Sequence, residues 1–297
     1  MLEHIERFLQ VLAKEKGYAS NTIVAYRNDL TQFHQFASET CQRSAWAEVA
    51  EHDLEHYLDC LREDHEYATA TVARKVAAVK SFFHHLASEG ILTQDPTKEM
   101  DSPHVRKYTP VSLTESEVKQ LLRAPLQSNG ARSLRDAALL ELLYATGMRV
   151  SEIVSLDLDQ IDLERGSVHC RARNRQKDRV LPFYPRAADA LHAYLTDGRP
   201  SLVRDNDEDA LFLNHRGQRL THQGLWLIIK RYVKQTGIRT AVTPHTLRHS
   251  FARHMLNGGA DVHEVQGLLG HANVSTTQVY TQAQVRAAYE EAHPRST

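Results

Sequence analysis

The 297-residue chain is poor in cysteine: Cys41, Cys60 and Cys170 are an odd, widely spaced set with no Cys-x-x-Cys pair. That excludes a disulfide framework and a cysteine zinc or redox site, and all three are expected as reduced thiols. The chain also lacks any run of 18 or more apolar residues, and Met1-Leu-Glu-His-Ile-Glu-Arg7 lacks the basic-then-apolar order of a signal peptide. Neither a membrane span nor secretion is expected, which leaves a soluble cytoplasmic protein. Low-complexity tracts and internal repeats are absent too. With 41% hydrophobic and 25% charged residues, the balance is globular, so collagen-like and disordered classes drop out.

Net charge is likewise small, −1 from 36 basic and 37 acidic residues, but it is unevenly spread. Residues 1–100 hold 10 Lys and Arg against 16 Asp and Glu, a net of −6, and residues 101–297 hold 26 against 21, a net of +5. A basic second part points toward nucleic acid.

At roughly 150 residues per domain the length predicts two domains. In the first hundred residues, helical spacing recurs in Leu2, Ile5, Phe8, Leu9 and Leu12, stopped by Gly17, and in Ile23, Tyr26, Leu30, Phe33 and Phe36 behind a Ser20 cap. It recurs again in Leu54, Tyr57, Leu58 and Leu61, and in Val72 to Leu86 before Gly90 and Asp95-Pro96. A four-helix domain over 1–92 follows, and proline-rich, charged residues 93–110 read as a linker. In the second domain, 111–297, Thr114-Glu-Ser-Glu117 is a capping box and Asp136–Tyr144 an apolar central helix ended by Gly147. Short strands are predicted at 167–172, 179–183 and 209–213, and further helices at 187–195, 225–233, 245–256 and 262–269. The fold class is mainly α, with a small antiparallel sheet in an α+β second domain.

Chemistry concentrates near the C-terminus. In Thr243-Pro-His245-Thr-Leu-Arg248-His249, Pro244 suits a first helical turn, and His245 and Arg248 then share a face. That pair suits a phosphate clamp, although a solvated helix surface carries the same pattern. A zinc site on His245 and His249 lacks both the Glu of His-Glu-x-x-His and a third ligand. In Gly267-Leu-Leu-Gly270-His271-Ala-Asn-Val-Ser275-Thr-Thr-Gln-Val-Tyr280, Gly270 ends a helix, His271 sits on the turn and Ser275 caps a segment carrying Tyr280.

Taken together, Arg149 in Ala145-Thr-Gly-Met-Arg149-Val-Ser-Glu, His245-x-x-Arg248, Leu268-Leu-Gly-His271 and Tyr280 resemble, in order and wording, the active site of the tyrosine recombinases, the family of phage integrases and Xer proteins. The resemblance spans essentially the whole chain. Gln266 to Asn273, Ser275-Thr-Thr-Gln278 and His293-Pro-Arg295 are most similar to the XerC branch. It implies an N-terminal SAM-like core-binding domain and a catalytic domain that together clamp duplex DNA. It further implies catalysis without metal or cofactor: Tyr280 as nucleophile, and Arg149, His245, Arg248 and His271 on the scissile phosphate. Two arginines suit that task, since each offers paired N–H donors to the oxygens that gain charge in the transition state.

The family's leaving-group acid is a lysine in a hairpin worded Gly-Lys-Gly-x-Lys-x-Arg. Here the hairpin reads Cys170-Arg-Ala-Arg173-Asn174-Arg175-Gln-Lys177-Asp-Arg179. The expected lysine falls on Asn174 counted back from Pro182, or on Arg173 counted forward from Arg149; Lys177, the hairpin's sole lysine, is the candidate acid. Arg171, Arg173, Arg175, Lys177 and Arg179 alternate, so an extended strand would line them up as a phosphate track.

The resemblance implies site-specific recombination through a 3′-phosphotyrosine and a Holliday junction, resolving chromosome dimers at cell division. Its partners would be a duplex recombination site, a homo- or hetero-tetramer with a sister Xer recombinase, and a cell-division DNA translocase as activator. Residues 281–297 would dock on a neighbouring protomer, so that deleting 284–297 would spare folding. The rival readings are a mobile-element integrase and a catalytically impaired DNA-binding relative.

Overall fold

A computed structural model describes residues 1–63, 67–101, 111–171, 178–205, 208–270, 289 and 291–295. The chain forms two compact units, Met1–Tyr108 and Thr109–Thr297.

In the first unit, α1 (Leu2–Lys14), α2 (Ser20–Gln35), α3 (Glu51–Glu63) and α4 (Thr69–Ser88) turn their apolar stripes into one core. Ile5, Phe8 and Leu12 meet Leu30, Phe33, Leu54, Leu58, Val76, Phe82 and Phe83 there. Ser20 is the first residue of α2 rather than its cap; Ala19 holds that position with no side-chain bond. Trp46, between α2 and α3, stacks on Phe33 at 6.0 Å and donates its indole N–H to the Met1 carbonyl at 3.1 Å. Thr97 and Met100 are buried, and Lys80 donates to the Met100 carbonyl at 2.7 Å, so the described part of the linker-like stretch packs on this unit.

The second unit begins with α5 (Glu115–Arg123) behind the expected capping box: Glu117 N–H donates to Thr114 Oγ1 at 3.2 Å and Thr114 N–H to Glu117 Oε2 at 2.8 Å. The next helix, α6 (Ala131–Thr146), runs through the centre, buried at every position from Arg135 to Thr146. Short α7 (Val150–Val154) leads to a three-stranded antiparallel sheet of β1 (Ile161–Asp162), β2 (Ser167–Cys170) and β3 (Arg179–Pro182), in that order. Val168 lies opposite Leu181 and Cys170 opposite Arg179. The third strand differs from expectation: β1 fills that place, and 209–213 makes only isolated bridges, Ala210 to Asp157 and Leu213 to Arg219. Ala210, Leu211, Phe212 and Leu213 are all buried, so the run has no polar face to leave in water. The remaining helices are α8 (Pro185–Ala193), α9 (Arg199–Leu202), α10 (His222–Thr236), α11 (Pro244–Asn257) and α12 (Val262–Leu269). No helix among the described residues is long and apolar enough to cross a membrane.

Residues 289 and 291–295, the described part of the 281–297 tail, pack on this unit's own core. Tyr289, Ala292, His293 and Arg295 are buried in this unit's own core. Tyr289 donates to the Ala145 carbonyl at 2.9 Å, Arg295 pairs with Glu141 at 2.7 Å, and the His293 ring packs on Tyr289, Tyr184, Tyr144 and Phe251. Glu141 sits in the middle of α6 and needs that cation, because an unpaired buried carboxylate is costly.

Candidate active site

Three chain reversals build the site. Gly147, in the left-handed conformation at φ +59°, ends α6 and places Arg149 as the N-cap of α7. Thr243 caps α11, accepting from Thr246 N–H at 3.1 Å, with Pro244 in the first turn. His245 follows, exposed, one turn before buried Arg248. Gly270, left-handed at φ +63°, ends α12.

The last carbonyls of a helix have no partner within it and carry the negative end of its dipole. At the end of α12 three consecutive carbonyls each accept from a different arginine: Leu268 from Arg179 Nε at 3.1 Å, Leu269 from Arg248 at 2.6 Å, and Gly270 from Arg149 at 2.7 Å. Arg248 reaches the Gly147 carbonyl with its other terminal nitrogen, also at 2.6 Å, and so joins the ends of α6 and α12. Three guanidinium groups thus meet at the turn that leads, one residue on, into His271.

The Glu152 carboxylate faces two of them. It accepts from the Arg149 backbone N–H at 2.7 Å and side chain at 3.1 Å, and from both terminal nitrogens of Arg179 at 3.0 and 2.9 Å. Burial alone would raise its pKa, but the Arg179 hydrogen bonds, the Arg149 N–H and both positive charges hold it below the usual carboxylate range. Burial, with the charge of Arg149 beside it, pushes Arg248 down to about 10, which leaves it protonated at neutral pH. Cys170 is buried here as well, its thiol pushed up to about 11 by burial despite the Arg179 charge. It is therefore a thiol, not a thiolate.

Of the sequence-predicted residues, Arg149 and Arg248 come together, and His245 lies on the same helix face as Arg248. Arg173, Lys177, His271 and Tyr280 lie outside the described residues. The phosphate track is corrected at its ends: Arg179 turns inward to Glu152, and Arg171 is paired with Asp157 and Asp159. Among the described residues no three His, Cys, Asp or Glu side chains gather as a metal site. Sequence reasoning missed Glu152 and Arg179 as members of the site. The Arg149-x-x-Glu152 spacing of an N-cap and its third helical residue was the available signal for Glu152.

The phage integrase family model matches residues 111–286, and the phage integrase N-terminal SAM-like domain matches residues 5–90. A tyrosine recombinase XerC of Roseiflexus sp. is 51% identical over 283 residues, covering 95% of this chain and 89% of that protein. A tyrosine recombinase XerC of Herpetosiphon aurantiacus is 47% identical over 299 residues, covering 100% of this chain and 96% of that protein. A lambda integrase tetramer bound to a Holliday junction shares the fold, with a TM-score of 0.69 and 16% identity over 93% of this chain and 75% of that one. With both domains matched in order, the chain belongs to the phage integrase family as a tyrosine recombinase of the Xer branch, similar to the XerC proteins, an enzyme of site-specific DNA recombination that breaks and rejoins DNA.

Proposed function

We propose that Arg149, His245, Arg248 and His271 bind the scissile phosphodiester and that Tyr280 attacks it. The Tyr280 oxygen bonds to phosphorus, the bond to the 5′-oxygen breaks, and a 3′-phosphotyrosine and a 5′-hydroxyl result. Lys177 supplies the leaving oxygen's proton. Attack by a 5′-hydroxyl of the exchanged strand reverses the step, so no external energy source is consumed. The observation that carries this reading is the meeting of Arg149 and Arg248 on the consecutive carbonyls of Leu269 and Gly270, next in sequence to His271. Arg248, held on the neutral carbonyls of Gly147 and Leu269, keeps its charge for an incoming anion.

The proposed assembly is a tetramer, with itself or with a sister Xer recombinase, that exchanges strands through a Holliday junction. Its role is chromosome dimer resolution in the cytoplasm at cell division, activated by a DNA translocase. The lambda integrase tetramer on a Holliday junction supports the assembly by likeness of fold. The domain division proposed is 1–92, a linker over 93–110, and 111–297.

The test is covalent trapping on a nicked suicide duplex carrying the host chromosome's recombination site, with the sister recombinase present. An SDS-stable adduct that disappears in Tyr280→Phe is the expected result. Loss in Lys177→Ala that recovers when sulfur replaces the 5′-bridging oxygen assigns the acid, since sulfur leaves without a proton. The hairpin wording, with Arg173 and Asn174 at the family lysine's place, favours one second reading, an impaired DNA-binding relative. Site binding by the parent with no adduct would select it.

A further inference from the structure

Glu152 poses an electrostatic problem for the site just proposed. A buried carboxylate paired only with Arg149 would cancel the charge meant for the phosphate and compete with DNA for the same N–H groups. Arg179 changes that balance. It meets the carboxylate side by side, one terminal nitrogen on each oxygen at 3.0 and 2.9 Å, whereas the Arg149 side chain reaches one oxygen at 3.1 Å. Its third donor, Nε, is fixed on the Leu268 carbonyl at 3.1 Å. The side chain is only 13% exposed. Gly270 permits this approach, because a Cβ there would lie 3.0 Å from an Arg179 nitrogen.

We infer that Arg179 is a positioning residue for DNA cleavage: it neutralises Glu152, leaving the charge of Arg149 for the scissile phosphate, and ties β3 to the turn that leads into His271. Within this cluster, the guanidinium groups of Arg149, Arg179 and Arg248 outweigh the Glu152 carboxylate, which suits a phosphodiester that gains negative charge in its transition state. The inference rests on the proposed catalytic reading of Arg149, Arg248 and Tyr280.

The experiment is single-turnover adduct formation on the same nicked duplex, with Tyr280→Phe as the blank and with site binding and thermal unfolding measured in parallel. Arg179→Gln is expected to slow adduct formation roughly 10- to 100-fold, the usual cost of losing a partner that orients a reacting group. Arg179→Lys keeps the charge and most of the rate. The double variant Glu152→Gln/Arg179→Gln is expected to react faster than Arg179→Gln, because the uncompensated carboxylate has gone. A purely structural role would make the double variant no better than the single one. Arg179→Gln at the parental rate, or a double variant no faster than it, overturns the inference while the catalytic reading stands. If Arg179→Gln does not fold, a folded Arg179→Lys that has lost the rate overturns it. A parent protein that forms no adduct overturns both.

Discussion

Arg248 spans two carbonyls far apart in sequence, Gly147 and Leu269, with separate nitrogens of one planar fork. Lysine keeps the charge but offers a single nitrogen, so Arg248→Lys is expected to slow cleavage about 10²- to 10³-fold, the size of losing an oriented transition-state donor. Single-turnover adduct formation measures it, and a rate near that of the parent would show that the fork is dispensable. Gly147 is equally constrained. A Cβ there would lie 2.4 Å from the Phe251 ring, on a backbone at φ +59°. Gly147→Ala should therefore cost about 2–4 kcal/mol, from left-handed strain and overpacking together, read as a lower urea midpoint. Arg149, His245 and Arg248 are legible in sequence because each sits in a short, distinctive wording. Glu152 and Arg179 are not, because their roles depend on a contact 27 residues apart and on carbonyls exposed only where α12 ends.

Among the elements, legibility follows local physics. The four helices of the first unit and the capping box of α5 are readable because apolar period and cap chemistry act within a few residues. Ser20 and the 209–213 run depart from expectation: Ala19 takes the N-cap position of α2 without a side-chain bond, and Ala210 and Leu213 make only isolated bridges to Asp157 and Arg219. The capping box offers a local test. Thr114→Ala removes the acceptor of Glu117 N–H and should cost about 1 kcal/mol, visible as a lower melting temperature with unchanged adduct formation at temperatures where the protein is folded. An unchanged melting temperature would mean that α5 is held by packing of Val118, Leu121 and Leu122 alone.

For the molecule as a whole, sequence does not show where residues near the C-terminus pack, because nothing local distinguishes docking on a neighbour from docking at home. In this chain Arg295 pairs with Glu141, buried in the core of its own unit. Deleting 289–297 should thus destabilise the second unit by about 3–5 kcal/mol by leaving Glu141 buried without its cation. His293 adds a pH dependence. Burial, with the charge of Arg295 nearby, pushes it down to about 3, and its Nε2 has no hydrogen-bond partner among the described residues. In the unfolded chain a histidine titrates near about 6.5. Below that pH the unfolded state takes up a proton that the folded state refuses, so this contribution is full above about 6.5 and is lost as pH falls toward about 3. Glu141, raised by burial, acts in the opposite sense through the carboxylate range, so the parent curve alone does not isolate the histidine. His293→Phe keeps a ring against Tyr289 and Tyr184 but cannot take up the proton. Urea unfolding of both proteins from about pH 8 to about pH 4 should show a constant difference down to about pH 6.5 and then a parent that loses stability relative to the variant. A difference that stays flat across the range would mean that His293 is not held neutral in the core.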